Sequence, residues 1–308
     1  MNDEMLVGYT GFVGSNIDAM HKFEYRINTR NSEEALGKEP ELLVYAGLRA
    51  EKFLANSNPE ADMDTVTEAY NRILNINPKR LVLISTVDVY KEPVNVDENT
   101  VIDTDGLAAY GLNRYKLEMM IRERYPNALI VRLPGLFGRN IKKNFIYDYI
   151  NVIPSMLKED KYKELSAGSS LIKTSYELQS NGFYKCVVKD ELKEELKEEF
   201  KRAGFSALNF TDSRGRFQFY NLAGLWSDIE TALKHDIRLL NIATEPVAVS
   251  EVYEALTDGE RFVNEISSTI PNYDYKSVHA ELFGGRNGYF YDKARVLKEI
   301  REFVFSQC

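Results

Sequence analysis

Three glycines at three-residue spacing are the first residues in the chain whose type and position point to chemistry. Gly8, Gly11 and Gly14 follow the apolar residues Leu6 and Val7 and begin a segment of helical composition. Glycine at such a turn lets the main chain approach a diphosphate and lets the next helix pack closely on the strand. The free N–H groups at the start of that helix would face the phosphates. A strand-to-helix turn without a ligand has the same spacing, but the position behind a strand at the start of a domain favours phosphate binding.

The end of the second predicted strand, 25–29, indicates which dinucleotide such a turn would accept. In the NAD form of the turn, a carboxylate about 20 residues after the first glycine binds the ribose hydroxyls, whereas an arginine accommodates a 2′-phosphate. Here the stretch Asn28-Thr29-Arg30-Asn31 contains no acid. We therefore expect NADP(H), bound through Arg30, with NAD(H) as the alternative.

Strands and helices alternate through the first 140 residues, which predicts an α/β fold with a doubly wound parallel sheet. Buried-type strands are predicted at 41–47, 80–84 and 128–133. A long helix is predicted between the first two, at 59–75. The small residues Ala46 and Gly47 end one strand, and Ser85 and Thr86 follow another. Because parallel strands bring their carboxyl ends to one edge of the sheet, we expect these residues to border a ligand crevice.

A tyrosine and an arginine lie four residues apart in the predicted helix 108–118. One helical turn places Tyr110 and Arg114 on the same face, which by itself is typical of a surface tyrosine stacked on an arginine. With the other motifs, however, the sequence resembles the extended short-chain dehydrogenase/reductase family, whose members act on nucleotide-activated sugars. The family motifs and their counterparts here are the glycine turn 8–14, the strand end 85–90, the Tyr-x-x-x-Lys helix at Tyr110 to Arg114, and the Arg-Leu-x-x-x-x-Gly stretch 132–138.

This resemblance implies a Rossmann fold, binding of NAD(P) and roles for individual residues. Thr86 would hydrogen-bond the sugar oxygen whose oxidation state changes, and Tyr110 would be the general acid or base. A phenol serves near neutral pH when a neighbouring positive charge favours its ionised form. In the family a lysine supplies that charge and holds the nicotinamide ribose, and Arg114 stands in its place. The expected cofactor contacts are Gly8, Thr10, Gly11, Phe12, Val13, Gly14, Arg30, Ala46, Gly47, Tyr110, Arg114 and Pro134.

Two departures from the family pattern bear on activity. Arg114 keeps a permanent charge but is planar and cannot release its proton, which leaves open a working variant, a slowed enzyme, or a binding protein that kept the pocket. Family members that dehydrate the sugar carry a glutamate where this chain has the shorter Asp88. We therefore expect reduction of a 4-keto sugar, with epimerisation, 4,6-dehydration or a catalytically silent binding module as alternatives. The expected substrate contacts are Asp88, Lys143 and Arg216, with Arg214 as an equal candidate for the last position.

The second half of the chain is less regular. The resemblance implies a dinucleotide-binding domain over 1–140, to which segments near 205–255 return, and a smaller, irregular, mainly substrate-binding domain over 141–308. The aromatic alternation in 209–222 predicts a strand. Ser250 is the expected N-cap of the next helix.

Composition narrows the class of protein further. A formal net charge of −8 argues against a nucleic-acid-binding surface, which would be basic. With two distant cysteines, Cys186 and Cys308, and three histidines, a zinc site is not expected. We see no signal peptide and no apolar run of membrane-spanning length, so we expect a cytoplasmic protein with a nucleotide sugar as partner. The resemblance adds a homodimer as an expectation.

Overall fold

The computed structural model describes residues 3–307, so that Cys308 lies outside the described part of the chain. These residues form two compact units. The first unit contains the chain up to Ile141 together with Arg216–Val247 and Pro271–Glu299. The second contains Lys142–Gly215, Ala248–Ile270 and the chain from Ile300 onward.

The secondary structure alternates between strands and helices in the first half of the chain. The strands are β1 Glu4–Val7, β2 Tyr25–Ile27, β3 Leu42–Tyr45, β4 Arg80–Thr86, β5 Leu129–Leu133, β6 Gly135–Phe137, β7 Met156–Lys158, β8 Tyr176–Leu178, β9 Phe183–Cys186, β10 Arg216–Phe217, β11 Phe219–Asn221, β12 Leu239–Asn241 and β13 Val247–Ala248. The helices are α1 Phe12–Met20, α2 Lys52–Ser57, α3 Pro59–Ile76, α4 Ala109–Arg124, α5 Phe145–Asn151, α6 Glu159–Gly168, α7 Ser170–Thr174, α8 Lys193–Arg202, α9 Leu225–Lys234, α10 Val249–Leu256 and α11 Lys293–Phe305.

The first unit is built on a six-stranded sheet in the order β12-β5-β4-β3-β1-β2. Every neighbouring pair is parallel, which confirms the doubly wound sheet predicted from the sequence. From β1 the chain first adds β2 on one side and then β3 on the other. The strand order therefore reverses between β1 and β3, and ligands of open α/β sheets bind in the crevice beyond the carboxyl ends at such a reversal.

Both faces of this sheet are covered, as the nearly continuous apolar strands require. On one face, Leu6, Val44 and Val131 pack with Ile17 of α1 and Trp226 of α9. On the other face, the alternate strand residues pack against the buried sides of α3 and α4. Because successive side chains of a strand point to opposite faces, each strand contributes to both cores and is held from both sides.

The second unit has its own core and a small antiparallel sheet. Its strands pair in the order β7-β9-β8. Leu157, Ile172, Leu196 and Phe200 form the centre of its core, each at most 1% exposed. This cluster lets α8 bury one side while its charged residues face water, as the amphipathic pattern of 190–202 predicts.

Three features of the second half differ from the sequence-based expectations. The segment 209–222 is not one strand: Asp212 accepts the main-chain N–H of Arg214 at 3.0 Å and turns the chain before β10 begins. The N-cap of α10 is Ala248, not Ser250, and the Glu251 carboxylate accepts the Ala248 N–H at 2.7 Å. The short helix α2 and the helix α9 were not predicted.

Among residues 3–307, none of the helices combines the length and the apolar composition that crossing a membrane would require.

Candidate active site

The glycine turn places its glycines where a side chain would collide with the main chain. Gly8 has a φ of +92°, and a Cβ on it would lie 2.5 Å from the Ala46 carbonyl oxygen. A Cβ on Gly14 would lie 2.1 Å from the Gly8 carbonyl oxygen, so α1 packs this closely on β1 only with glycine there. The Gly11 N–H donates to the Gly8 carbonyl at 2.9 Å and closes the turn. The amino end of α1, with its free N–H groups, is thereby held beside the ends of β1 and β3.

The other residues predicted to contact a cofactor near this turn differ in how far they are exposed. Thr10 and Gly47 are exposed. The side chains of Phe12 and Val13 are partly buried against the core, and their main-chain N–H groups lie in the first turn of α1. Pro134 follows β5 and is partly buried. All of these residues lie at the carboxyl edge of the sheet.

The loop after β2 presents an arginine and no acid. The Asn31 side chain accepts the N–H of Asn28 at 2.8 Å and donates to the Arg26 carbonyl at 2.9 Å. Asn28 in turn donates to the Tyr9 hydroxyl at 3.1 Å, which ties this loop to the glycine turn. Arg30 is exposed, and its guanidinium forms no ion pair with any residue between 3 and 307. A guanidinium in this position is suited to a ribose 2′-phosphate.

β4 ends at Thr86 and continues into one 3₁₀ turn, Val87–Val89, on which the start of α4 rests. Thr86 Oγ1 accepts the N–H of Asp88 at 3.1 Å. A Cβ on Gly111 would lie 2.0 Å from the Asp88 carbonyl oxygen, so glycine is required for this close approach. The Thr86 hydroxyl lowers the pKa of the Tyr110 phenol, so these two side chains lie close together where α4 packs on this turn.

Tyr110 and Arg114 share one face of α4, as their spacing predicts. The guanidinium carbon of Arg114 lies 4.1 Å from the centre of the Tyr110 ring, and the two residues are 5% and 7% exposed. Burial raises the pKa of the Tyr110 phenol above 10.0, and the charge of Arg114 opposes this rise. Asp88 raises that pKa further, whereas Thr86 and Lys52 lower it. The net result is a phenol that is protonated at neutral pH.

Arg114 is also committed to the structure of the first unit. Its Nη1 forms an ion pair with Asp62 of α3, and its Nη2 donates to the Arg49 carbonyl at 2.8 Å. Asn113 donates to the same Asp62 carboxylate at 2.9 Å and to the Pro59 carbonyl at 3.1 Å. Arg114 therefore supplies a fixed charge beside the ring and at the same time ties α4 to α3.

A second cation reaches the 3₁₀ turn from α2. Lys52 Nζ lies 2.8 Å from Asp88 Oδ1 and 3.4 Å from the Tyr273 hydroxyl, which itself donates to Asp88 at 3.0 Å. One turn later on α2, the Asn56 side chain accepts the N–H of Tyr110 at 2.9 Å. Burial lowers the pKa of Lys52, but Asp88 and Tyr273 outweigh burial and raise it. Lys52 is therefore charged at neutral pH, and half of its side chain is exposed.

A buried ion pair lies behind these residues. Arg132 of β5 and Glu118 of α4 are 1% and 0% exposed, and Arg132 Nη2 lies 2.6 Å from Glu118 Oε2. Ser85 donates to Glu118 at 2.6 Å, and Arg132 Nη1 donates to the Tyr90 hydroxyl at 2.8 Å. The carboxylate raises the pKa of Arg132 and outweighs the opposite effect of burial. The pair thus joins β4, β5 and α4 directly beneath Thr86.

The three predicted substrate residues lie in different surroundings. Asp88 is held by Lys52 and Tyr273. Arg216 is exposed on β10, and its carbonyl accepts the N–H of Tyr273 at 3.1 Å, which places it one strand from the Asp88 cluster. Lys143 is exposed in the second unit, two residues before α5.

Arg214, the other candidate for the position of Arg216, is fully engaged. It binds both oxygens of Asp212, at 3.0 and 2.8 Å, and the Glu265 carboxylate at 2.9 Å. Its hydrogen bonds lower the pKa of the Asp212 carboxyl. Of the two arginines, Arg216 is the one with a guanidinium open to a ligand.

Sequence reasoning missed the charged partners of the predicted residues. Lys52, Asp62 and Tyr273 lie outside α4, and no spacing in the sequence relates them to Tyr110. One signal was available: Arg132 interrupts the apolar strand 128–133, and a charge buried there needs a partner.

A cavity of about 560 Å³ lies at the opposite edge of the sheet, near the amino ends of β4, β5 and β12. Arg80, Arg124 and Arg238 contribute to its lining. None of the predicted site residues borders it, so the candidate site is the carboxyl edge and not this cavity.

Comparison with known proteins gives a match in structure alone. No family model matches the sequence, and no curated protein matches it. The structure is similar to a dTDP-4-dehydrorhamnose reductase from Yersinia enterocolitica, with a TM-score of 0.65 and 12% identity over 100% of both chains. For a dTDP-4-dehydrorhamnose reductase from Bacillus anthracis str. Ames in complex with NADP, the TM-score is 0.64 at 13% identity, again over 100% of both chains.

A third similar structure is a UDP-N-acetylglucosamine 4-epimerase from Methanobrevibacter ruminantium M1 in complex with UDP-N-acetylmuramic acid. Its TM-score is 0.64 at 12% identity, over 100% of this chain and 99% of the epimerase. Identities this low establish the architecture alone. The chain has the fold shared by these reductases and epimerases.

Proposed function

We propose that this chain is an NAD(P)-dependent oxidoreductase of the extended short-chain dehydrogenase/reductase type, and that it reduces a 4-keto group on a nucleotide-activated sugar. The observation that carries the proposal is the meeting of Thr86 and Tyr110 at the sheet edge that also bears the glycine turn. The shared fold supports it, because structures of this fold include reductases and epimerases of nucleotide sugars.

The protonation state of the phenol favours reduction over oxidation. A reduced nicotinamide, when bound, supplies the hydride to the sugar carbonyl. Tyr110 is protonated at neutral pH because burial raises its pKa, so it is ready to donate its proton to the oxygen that becomes an alkoxide. The Thr86 hydroxyl orients the same oxygen, and Arg114 stabilises the phenolate left behind. An oxidation, as in the first half of an epimerase cycle, would instead start from a phenolate.

Asp88 disfavours the dehydratase alternative. Its carboxylate pairs with Lys52 at 2.8 Å and accepts the Tyr273 hydroxyl at 3.0 Å. These contacts commit the carboxylate oxygen to Lys52 and Tyr273, so it is less available to remove a sugar C5 proton.

The preferred cofactor in this proposal is NADP(H). The exposed, unpaired Arg30 and the absence of an acid after β2 support it. Arg216 is the proposed partner of the nucleotide diphosphate, since Arg214 is bound to Asp212. The role of Lys143, the homodimer and the cytoplasmic location stay predictions.

A catalytically silent binding module is the second candidate, and one observation favours it. The two terminal nitrogens of Arg114 contact Asp62 and the Arg49 carbonyl, so Arg114 is less free than a lysine to hold a nicotinamide ribose. Such a module would bind NADPH without hydride transfer.

Absorbance of NADPH at saturating 4-keto-sugar nucleotide tests the proposal. We expect stoichiometric loss of NADPH with the wild-type protein and a loss of turnover in Tyr110→Phe, with nucleotide binding by calorimetry nearly unchanged. Tyr125→Phe is the matched control, because the buried Tyr125 hydroxyl has no hydrogen-bond partner in the described chain. Binding of NADPH without turnover across a panel of such sugars would leave the silent module as the function, and turnover retained in Tyr110→Phe would remove the assigned acid.

A further inference from the structure

The charge that acts on the Tyr110 phenol comes from more than one cation. Arg114 lies over the ring, but its position is fixed by Asp62 of α3 and by the Arg49 carbonyl. A guanidinium is also permanently charged, so it cannot titrate in response to a ligand. An adjustable charge at this site has to come from another element.

Helix α2 brings such a charge to the site. Residues four apart on a helix share a face, and Lys52 and Asn56 are such a pair on α2. Asn56 accepts the Tyr110 N–H at 2.9 Å, which fixes this face against the start of α4. The same face therefore holds Lys52 next to the 3₁₀ turn, where its ammonium meets Asp88 at 2.8 Å. Half of the Lys52 side chain remains exposed, so it is free to change partner when a ligand enters.

The groups facing the phenol come from four elements. Arg114 is on α4, Asp88 on the 3₁₀ turn, Lys52 on α2, and Asp62 on α3 neutralises Arg114 from behind. The Tyr273 hydroxyl completes the set and stays protonated, because burial and then Asp88 raise its pKa. Of these groups, Lys52 is the cation with a solvent-exposed side chain, and Asp88 is its counter-charge.

We propose that Lys52 is the adjustable cation of the Tyr110 site, and that its pairing with Asp88 sets how strongly it acts on the phenol. The inference rests on the proposed function for its role in catalysis. A ligand hydroxyl that takes Asp88 as its acceptor would release Lys52 from its counter-charge. The freed ammonium would then stabilise the phenolate as Tyr110 gives up its proton.

The test measures the acidity of residue 110 without cofactor or sugar. A fluorinated tyrosine, which is more acidic than tyrosine, replaces Tyr110, and its ¹⁹F resonance is followed against pH. Lys52→Met should raise the pKa of this phenol by about 1 unit, because it removes a cation and leaves Asp88 uncompensated. Asp88→Asn should lower that pKa, and Lys52→Arg should leave it near the unsubstituted value.

Lys79→Met is the matched control. Lys79 lies at the opposite edge of the sheet and pairs with the exposed Glu41, so its loss should not move the ¹⁹F titration. An unchanged pKa in Lys52→Met, or a raised one in Asp88→Asn, would overturn the inference. Asp88→Asn checks the effect of the counter-charge, and Lys52→Gln repeats the removal of the cation in case Lys52→Met is poorly folded.

The kinetic readout is separate. In the reduction, kcat falls as pH rises past the pKa of the acid, so Lys52→Met should move this fall to higher pH. A wild-type protein without hydride transfer refutes the proposed function and leaves the ¹⁹F result standing. Normal turnover with an unmoved ¹⁹F titration refutes the role of Lys52 alone.

Discussion

Replacing Arg132 by methionine should destabilise the first unit by about 3 kcal/mol. The change leaves the carboxylate of Glu118 fully buried without its main cation, and breaking one side of a buried ion pair costs roughly 3–5 kcal/mol. Two groups remain near the carboxylate: the Ser85 hydroxyl at 2.6 Å and the more distant Arg122 guanidinium at 3.8 Å. They place the expected loss at the lower end of that range.

The double variant Glu118→Leu/Arg132→Met separates the charge from the packing. With both charges gone, nothing ionised stays buried, and apolar side chains of similar size often match the original stability. The Tyr90 hydroxyl keeps partners in either case, since it donates to the Asp97 carbonyl at 2.7 Å and accepts from Asn241 at 2.9 Å. We therefore expect the double variant to regain most of the lost free energy of unfolding.

Urea unfolding followed by tryptophan fluorescence measures the free energy of unfolding of the first unit. Trp226 is the single tryptophan in the chain and packs in the core of the first unit. Arg124→Met is the control, because Arg124 is an exposed arginine on the same helix and its loss should change the free energy of unfolding by less than about 0.5 kcal/mol. A loss below about 1 kcal/mol in Arg132→Met, or a double variant no more stable than the single one, would refute the reasoning.

Three further outcomes follow from the structure. Arg30→Gln should weaken NADPH binding about tenfold, or ~1.4 kcal/mol, and leave NADH binding unchanged in calorimetry. Gly14→Ala should abolish binding of both dinucleotides, because its Cβ would lie 2.1 Å from the Gly8 carbonyl oxygen; retained binding would contradict the close packing of α1. Burial raises the pKa of Asp148 from 3.8 to about 7, so the unfolded chain releases this proton before the folded chain does, and the stability falls as pH rises from about 4 to about 7. Asp148→Asn should therefore raise the melting temperature by about 3 °C at pH 8 and change it little at pH 3.5.

Most of the first unit could be predicted because local patterns decide it. The apolar strands, the glycine turn and the helix predicted over 59–75, observed as Pro59–Ile76, all follow from periodicity and from the conformational needs of glycine. The segment 209–222, predicted as a strand, is extended only over β10 and β11, and the reason is equally local. Asp212 captures the Arg214 main chain and side chain, and this turn outweighs the aromatic alternation.

The partners within the candidate site could not be predicted, since they depend on tertiary packing. The spacing of Tyr110 and Arg114 was sufficient to place them on one face. That Asp62 neutralises the arginine, and that Lys52 approaches the same turn, depends on how α2 and α3 pack on α4. The six-residue helix α2 has too few residues for a periodic signal, so the element that carries Lys52 was itself missed.

The two contacts of the Arg114 guanidinium, with Asp62 and with the Arg49 carbonyl, limit how this position can change by mutation. A lysine at that position has one ammonium, which cannot reach both the Asp62 carboxylate and the Arg49 carbonyl in the geometry of a planar guanidinium. One of these two contacts would be lost, although Asp62 would keep its hydrogen bond from Asn113. Any substitution at residue 114 therefore alters both the charge beside the phenol and the contact between α3 and α4. A functional lysine there would need a compensating change at Asp62.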